Sequence, residues 1–200
     1  MNNFVHFIPV GMAFGIFEKL DYFLLNNMFQ YCQNTKIEST LSVSISDDFL
    51  KKVDNLEWLY KKIVTHNKMS KTKIIFYIQN SFIVREIEIA KKFSKKMKDF
   101  GHYFGIDHFI IGDKINYHLE HLTPNYLRVE STYLFDMVYS INNSMQRNSF
   151  LNLIQTVGSE LVVIHVDKKE DIDNLKMIGV YNQQGIAISK PKKIEVQTIN

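Results

Sequence analysis

The sequence predicts an α/β fold of parallel strands joined by helical crossovers, and two observations carry that reading. The hydrophobic period switches repeatedly between strand-like alternation and helix-like spacing, and a helical run separates each strand-like run from the next. Parallel pairing with right-handed crossovers follows, which leaves a doubly wound sheet and a (β/α)8-type barrel as the two architectures. Residues 12–32 read as an amphipathic helix, and LSVSIS at Leu41 to Ser46 alternates as a strand does. A helix through Leu56, Leu59 and Ile63 leads to a buried strand, KIIFYI at Lys73 to Ile78. A helix over Ile83 to Lys98 places Ile89, Phe93, Met97 and Phe100 on one side, and a strand over Tyr103 to Ile111 follows. Next come a short helix at Asn116 to Leu122, a strand at Tyr126 to Glu130 and a long helix from Tyr133 to Val157. The chain continues with an apolar strand at Glu160 to Val166, a helix at Glu170 to Ile178 and a last strand at Gln184 to Ser189. These six strands are two short of a closed eight-stranded barrel.

Composition bounds the function. With 46% hydrophobic residues, 15 Phe and 10 Tyr against 3 Pro and 8 Gly, the 200 residues suit one packed domain with no linker, repeat or biased segment. A net charge of +3, from 24 basic and 21 acidic residues, gives no reason to expect a nucleic-acid partner. The single cysteine, Cys32, excludes an internal disulfide, reads as a small buried hydrophobe and fits a reducing cytoplasm. His6, Glu18, Lys19 and Asp21 interrupt the apolar start, so no run approaches the ~18 residues of a membrane span. Nor do the first residues form a signal peptide. A cytoplasmic location is expected, either alone or as the cytoplasmic domain of a membrane-anchored parent. No GxGxxG or GxxxxGK[ST] follows a strand, so nothing points to a dinucleotide or P-loop site.

Five fragments, in order and at matching spacing, identify the family that the chain resembles. FIPV at Phe7 to Val10 and GIFEKLDYFLL at Gly15 to Leu25 are followed by LSVSIS, and then by GIDHFIIGDKINYHLEHLTPNYLRVE from Gly105 to Glu130. LVVIHVD at Leu161 to Asp167 and GVYNQQG at Gly179 to Gly185, with Pro191, complete the series. Together they resemble the EAL domain of cyclic-di-GMP phosphodiesterases. The resemblance implies a (β/α)8-like (TIM-type) barrel and decides between the two architectures. It also implies that the first two strands, which carry the E-A-L tripeptide, are missing, so residues 1–200 are expected to be one N-terminally incomplete EAL-like domain.

In active members, the resemblance implies, two divalent cations held by carboxylates hydrolyse the phosphodiester, which requires hard oxygen ligands. Matched position by position, the family's ligands become Ser44, Tyr77 and Ile164, and the second residue of its Asp-Asp pair becomes His108. Its lysine becomes Arg128, which stays protonated and cannot act as a base. Asp107 and Gln184 are kept and Glu130 stands for an aspartate. The expectation is a catalytically inactive, degenerate domain that uses neither Mg²⁺ nor Mn²⁺. Like receptors of the LapD type, it is expected to bind cyclic-di-GMP through Asp107, Arg128, Glu130, Gln184, Gly185 and Pro191. The alternative is a nucleotide-independent protein-interaction domain of the YdiV type, its mouth plugged by Tyr77 and Ile164. A protein partner or homodimer is expected in either case.

Plainer readings stand beside these. Asp107 also suits capping of the next turn, and Arg128 suits an ion pair with Glu130 or Asp107. His118 and His121 have spacing that permits metal ligation on one helix face, but solvent-facing histidines are the expected outcome. His165 and Asp167, either side of Val166, point at one layer of the barrel mouth. Lys91, Lys92, Lys95, Lys96 and Lys98 alternate with core positions, as on a solvated outer helix.

Overall fold

A computed structural model describes residues 16–35, 40–112, 114–139, 152 and 158–192. Helix α1 (Ile16–Asn34) leads to β1 (Leu41–Ile45), the short α2 (Asp47–Leu50) and α3 (Val53–Met69). Strand β2 (Ile74–Gln79) is followed by α4 (Asn80–Arg85), α5 (Ile87–Asp99) and β3 (Tyr103–Asp107). Then come α6 (Ile115–Leu122), β4 (Tyr126–Glu130), α7 (Ser131–Tyr139), β5 (Glu160–Ile164) and α8 (Lys169–Met177). The five strands form one parallel sheet in the order β1-β2-β3-β4-β5. That order settles the architecture, because a doubly wound sheet reverses its strand order at a switch point and this one never does. Each crossover steps the same way, which describes an arc of a (β/α) barrel.

Strand alternation divides the sheet into two faces. Ile45, Ile74, Phe76, Ile78, Phe104, Ile106, Leu127, Val129 and Val163 pack into the apolar core that the helices cover. Phe93 of α5 meets Phe76 and Phe104 edge-on, with centroids 6.3 and 6.4 Å apart. The opposite face carries Ser44, Tyr77, Gly105, Asp107, Tyr126, Arg128 and Glu130, so the polar residues share the inner surface of the arc. One polar tie fixes α1 on this frame. Buried Asp21 accepts hydrogen bonds from the Ser46 amide (3.0 Å) and hydroxyl (2.5 Å), while the Ser46 hydroxyl caps α2. Burial pushes the Asp21 carboxyl up to about 6.

Four sequence expectations are corrected. The helix expected over Ile83 to Lys98 is broken at Glu86, whose backbone leaves the helical region (φ −132, ψ 49), giving α4 and α5. The strand expected to reach Ile111 stops at Asp107, because His108 takes φ 49 and turns the chain so that the Phe109 amide bonds the Arg128 carbonyl. The sixth strand reduces to an isolated bridge between Gln183 and Val163. Beyond it the chain folds into a turn, closed by bonds from the Ile188 and Ser189 amides to the Gly185 carbonyl. Lastly, His118 is buried and only His121 faces solvent. The expected long helix is described over Ser131–Tyr139, and residues 140–151, 153–157 and 12–15 lie outside the described residues. Cys32 is buried as expected, and burial pushes its thiol up to about 11.

At the amino-terminal end of the strands two buried histidines lie side by side, with ring centroids 5.6 Å apart. His66 Nε2 lies 2.9 Å from the Thr72 carbonyl, and His102 Nδ1 accepts from the Ile74 amide. Desolvation, with smaller repulsion from His66 and Lys73, lowers the His102 pKa from 6.5 to about 4. The unfolded chain therefore takes up this proton first, and the stability that neutral His102 contributes is lost as pH falls from 6.5 toward 4. Asp21 acts in the opposite sense, its stability declining as pH rises from 3.8 to about 6. Urea unfolding from pH 7 to 4 is expected to show wild type losing about 3 kcal/mol relative to His102→Asn, which keeps the acceptor but not the titration. A constant difference across that range would remove His102 as the acid-sensitive group.

Candidate functional site

The carboxyl ends of the parallel strands converge on one cluster, where strand ends and the loops after them present side chains in barrels of this kind. Ser44 comes from β1, Tyr77 from β2, Asp107 from the end of β3, Arg128 and Glu130 from β4 and Ile164 from the end of β5. Gln184 follows the bridge beside β5. Of the residues expected to contact the ligand, Pro191 stands apart, exposed and with no hydrogen bond to the cluster among the described residues.

Arg128 is the hub. Its Nη1 lies 3.2 Å from Asp107 Oδ2 and 3.3 Å from Ser44 Oγ, and its Nη2 lies 3.4 Å from Gln184 Oε1. The guanidinium stacks 4.7 Å from the centroid of the Tyr77 ring. Asp107 is only 3% exposed, and its Oδ2 also accepts from Ser44 Oγ at 2.8 Å while its Oδ1 accepts from the His108 amide. Of the two ion pairs expected for Arg128, with Glu130 or Asp107, the geometry realises the one with Asp107. Tyr77 is 2% exposed, and burial raises the pKa of its phenol. Its ring lies across Gly105, where an added Cβ would come within 2.4 Å of a ring carbon. Ile164, at the end of β5, is equally buried, and Tyr77 is the side chain on which Arg128 rests.

A second cluster closes on Glu130. His108 Nδ1 is 2.7 Å from Glu130 Oε1 and His165 Nδ1 is 2.5 Å from Oε2, so one carboxylate is bracketed by two imidazoles. Both histidines are the first residue past a strand end, and both adopt positive φ, 49 and 58. That conformation is costly for a residue with a Cβ, and each histidine is held there against Glu130, His165 by a hydrogen bond. The His165 carbonyl accepts from Ser131 Oγ, while Asp167, farther along, accepts from the Ile186 amide and ties down the turn after Gln184. His165, expected at the barrel mouth, was not among the site residues named from the sequence, and its pairing with Glu130 was not foreseen. Its signal was a polar residue one step past an apolar strand, mirroring His108. Gly185 has a structural part, since a Cβ there would meet the Val166 backbone within 2.2 Å.

The consecutive parallel strands, and the polar cluster at their carboxyl ends, define the class as a (β/α)-barrel domain with its candidate site at the barrel mouth. The family model of the EAL domain matches residues 4–191, and the chain belongs to the EAL domain family. It is 20% identical over 191 residues to the cyclic di-GMP phosphodiesterase PdeB of Shewanella oneidensis, covering 94% of this chain and 22% of that protein. The fold is similar to the FimX EAL domain from Pseudomonas aeruginosa bound to c-di-GMP, with TM-score 0.79 and 17% identity, covering 94% of this chain and 76% of that one. It is also similar to the Vibrio cholerae LapD S helix-GGDEF-EAL protein bound to c-di-GMP, with TM-score 0.72 and 14% identity, covering 86% and 42%.

Two substitutions test the packing of this mouth. Gly105→Ala forces Tyr77 away from its place beneath Arg128 and is expected to destabilise the fold by about 2 kcal/mol in denaturant unfolding. Gly112→Ala, with nothing within 4 Å of its Cβ, is the control expected to change little. Arg128→Met leaves Asp107 buried without its counter-charge and is expected to cost about 3 kcal/mol. Adding Asp107→Asn to Arg128→Met removes the unpaired charge, and most of the loss is expected to return.

Proposed function

We propose that this chain is a catalytically inactive EAL module that binds cyclic-di-GMP at the barrel mouth without a divalent cation. The single observation that carries the reading is the Arg128–Asp107 ion pair. At the position where the family resemblance requires a metal-holding carboxylate, Asp107 is already neutralised by a guanidinium and bonded to Ser44. Glu130 has both oxygens engaged by imidazoles. Ser44, Tyr77 and Ile164 add no carboxylate, so this donor set does not fit a pair of divalent cations.

The same arrangement supports binding. A phosphodiester needs positive charge and directed N–H donors, which Arg128 supplies as a planar fork. In this reading Arg128 and Gln184 meet the ligand, Glu130 orients the two imidazoles beside it, and Asp107 positions Arg128 from below. Gly185 allows the turn after Gln184 to lie close against Val166. The second reading, a nucleotide-independent protein-interaction domain, is favoured by the depth at which Tyr77 and Ile164 are buried.

Calorimetric titration of cyclic-di-GMP into the folded chain, once in EDTA and once in Mg²⁺, separates the two. Saturable binding at tens of micromolar or below is expected, equal in both buffers and with no linear dinucleotide in the recovered sample. The double variant Arg128→Met/Asp107→Asn is expected to bind at least tenfold more weakly. A folded chain that gives no heat supports the interaction domain, and Mg²⁺-dependent release of linear product overturns both readings.

A further inference from the structure

A second surface lies on the outside of the barrel arc, away from the mouth. Helices α3 and α5 leave between them an open groove of about 570 Å³ lined by Glu57, Tyr60, Lys61 and Val64 of α3, and by Lys96 and Phe100 at the end of α5. Its floor is apolar. Tyr60 and Phe100 are half-buried with centroids 5.7 Å apart, and Val64 is 43% exposed beside them. Lys96 is drawn over this floor, its ammonium 5.1 Å from the Phe100 centroid and 5.7 Å from that of Tyr60.

The charge on the α5 side of the groove is one-sided, while α3 contributes Glu57 beside Lys61. Helix α5 carries five lysines against Glu88 and Asp99, a net +3 that equals the net charge of the whole chain. Lys91 pairs with Glu88, and Lys98 bonds the Leu122 and Thr123 carbonyls at the end of α6. By contrast Lys61, Lys92, Lys95 and Lys96 are exposed and none has an ion-pair partner among the described residues. Lys92 and Lys96, four apart, run along one side of α5. An apolar floor recessed between helices and rimmed by unpaired lysines is complementary to an amphipathic helix with acidic flanks. A bilayer surface requires apolar groups that protrude, and here the two largest, Tyr60 and Phe100, lie beneath Lys96.

We propose that the groove between α3 and α5 docks an acidic amphipathic helical segment of a protein partner. The groove runs along residues 57–65 of α3, a length of ~12 Å, so about two turns of the partner are held. The site is independent of the barrel mouth and of the reading given for it.

The probe is a synthetic amphipathic peptide of ~18 residues, Leu on one face and Glu on the other, titrated into the whole chain with binding followed by fluorescence anisotropy. Saturable micromolar binding is expected, weakened at least tenfold by the surface variant Lys61→Glu/Lys96→Glu and by raising NaCl from ~50 to ~300 mM. A peptide with every Leu replaced by Ser is expected to bind at least tenfold more weakly. Equal binding by wild type and variant overturns the proposal, because the peptide then sits elsewhere. So does equal binding of the Leu-free peptide, which marks bare charge attraction. Vesicles of phosphatidylcholine and phosphatidylglycerol bound through these lysines, with no peptide binding, overturn it in favour of a lipid surface.

Discussion

The ion pair between Arg128 and Asp107 is the constraint on which the barrel mouth depends. Asp107 ends β3 in a position almost closed to solvent, where an unpaired carboxylate is costly. Arg128, the neighbouring residue on β4, supplies the opposite charge and spreads its remaining donors over Ser44 and Gln184. The guanidinium lies flat on Tyr77, and Tyr77 has room only because residue 105 is glycine. Residues from β1, β2, β3 and the segment after the Gln183 bridge thus converge on one cation that belongs to the protein.

The second cluster follows the same logic with different residues. Glu130 comes from the end of β4, and its two oxygens are bracketed by histidines that follow β3 and β5. The strained backbone at both histidines is a cost, offset by their close contacts with one carboxylate, one of them a hydrogen bond. A guanidinium engages Asp107 and two imidazoles lie against Glu130, so both carboxylates already have partners within the protein.

Much of this was legible in the sequence and the remainder has identifiable reasons. The alternating period located all five strands, because the helix-facing residues of β2 and β3 are apolar and branched or aromatic, as strands packed under helices require. The ends of those strands were harder. Phe109, Ile110 and Ile111 continue a strand-like apolar pattern past Asp107, and only the left-handed turn at His108 stops it. Glu86 interrupts a helix whose apolar spacing runs on without a break. The short bridge at Gln183 was read as a full strand, since the contact of Gly185 with the Val166 backbone leaves no trace in hydropathy. At the site, spacing and resemblance marked Asp107, Arg128, Glu130 and Gln184. The choice of Asp107 over Glu130 as the partner of Arg128, and the pairing of His165 with Glu130, depend on register across strands far apart in the chain.

The central claim is that Arg128 and the histidines hold the carboxylates that a divalent cation would need. Electron paramagnetic resonance of free Mn²⁺, titrated against the folded chain with and without cyclic-di-GMP, measures it most directly. The account predicts a free-ion signal undiminished by equimolar protein in both cases. One or two Mn²⁺ ions bound per chain at micromolar affinity, and released by Asp107→Asn, would contradict it.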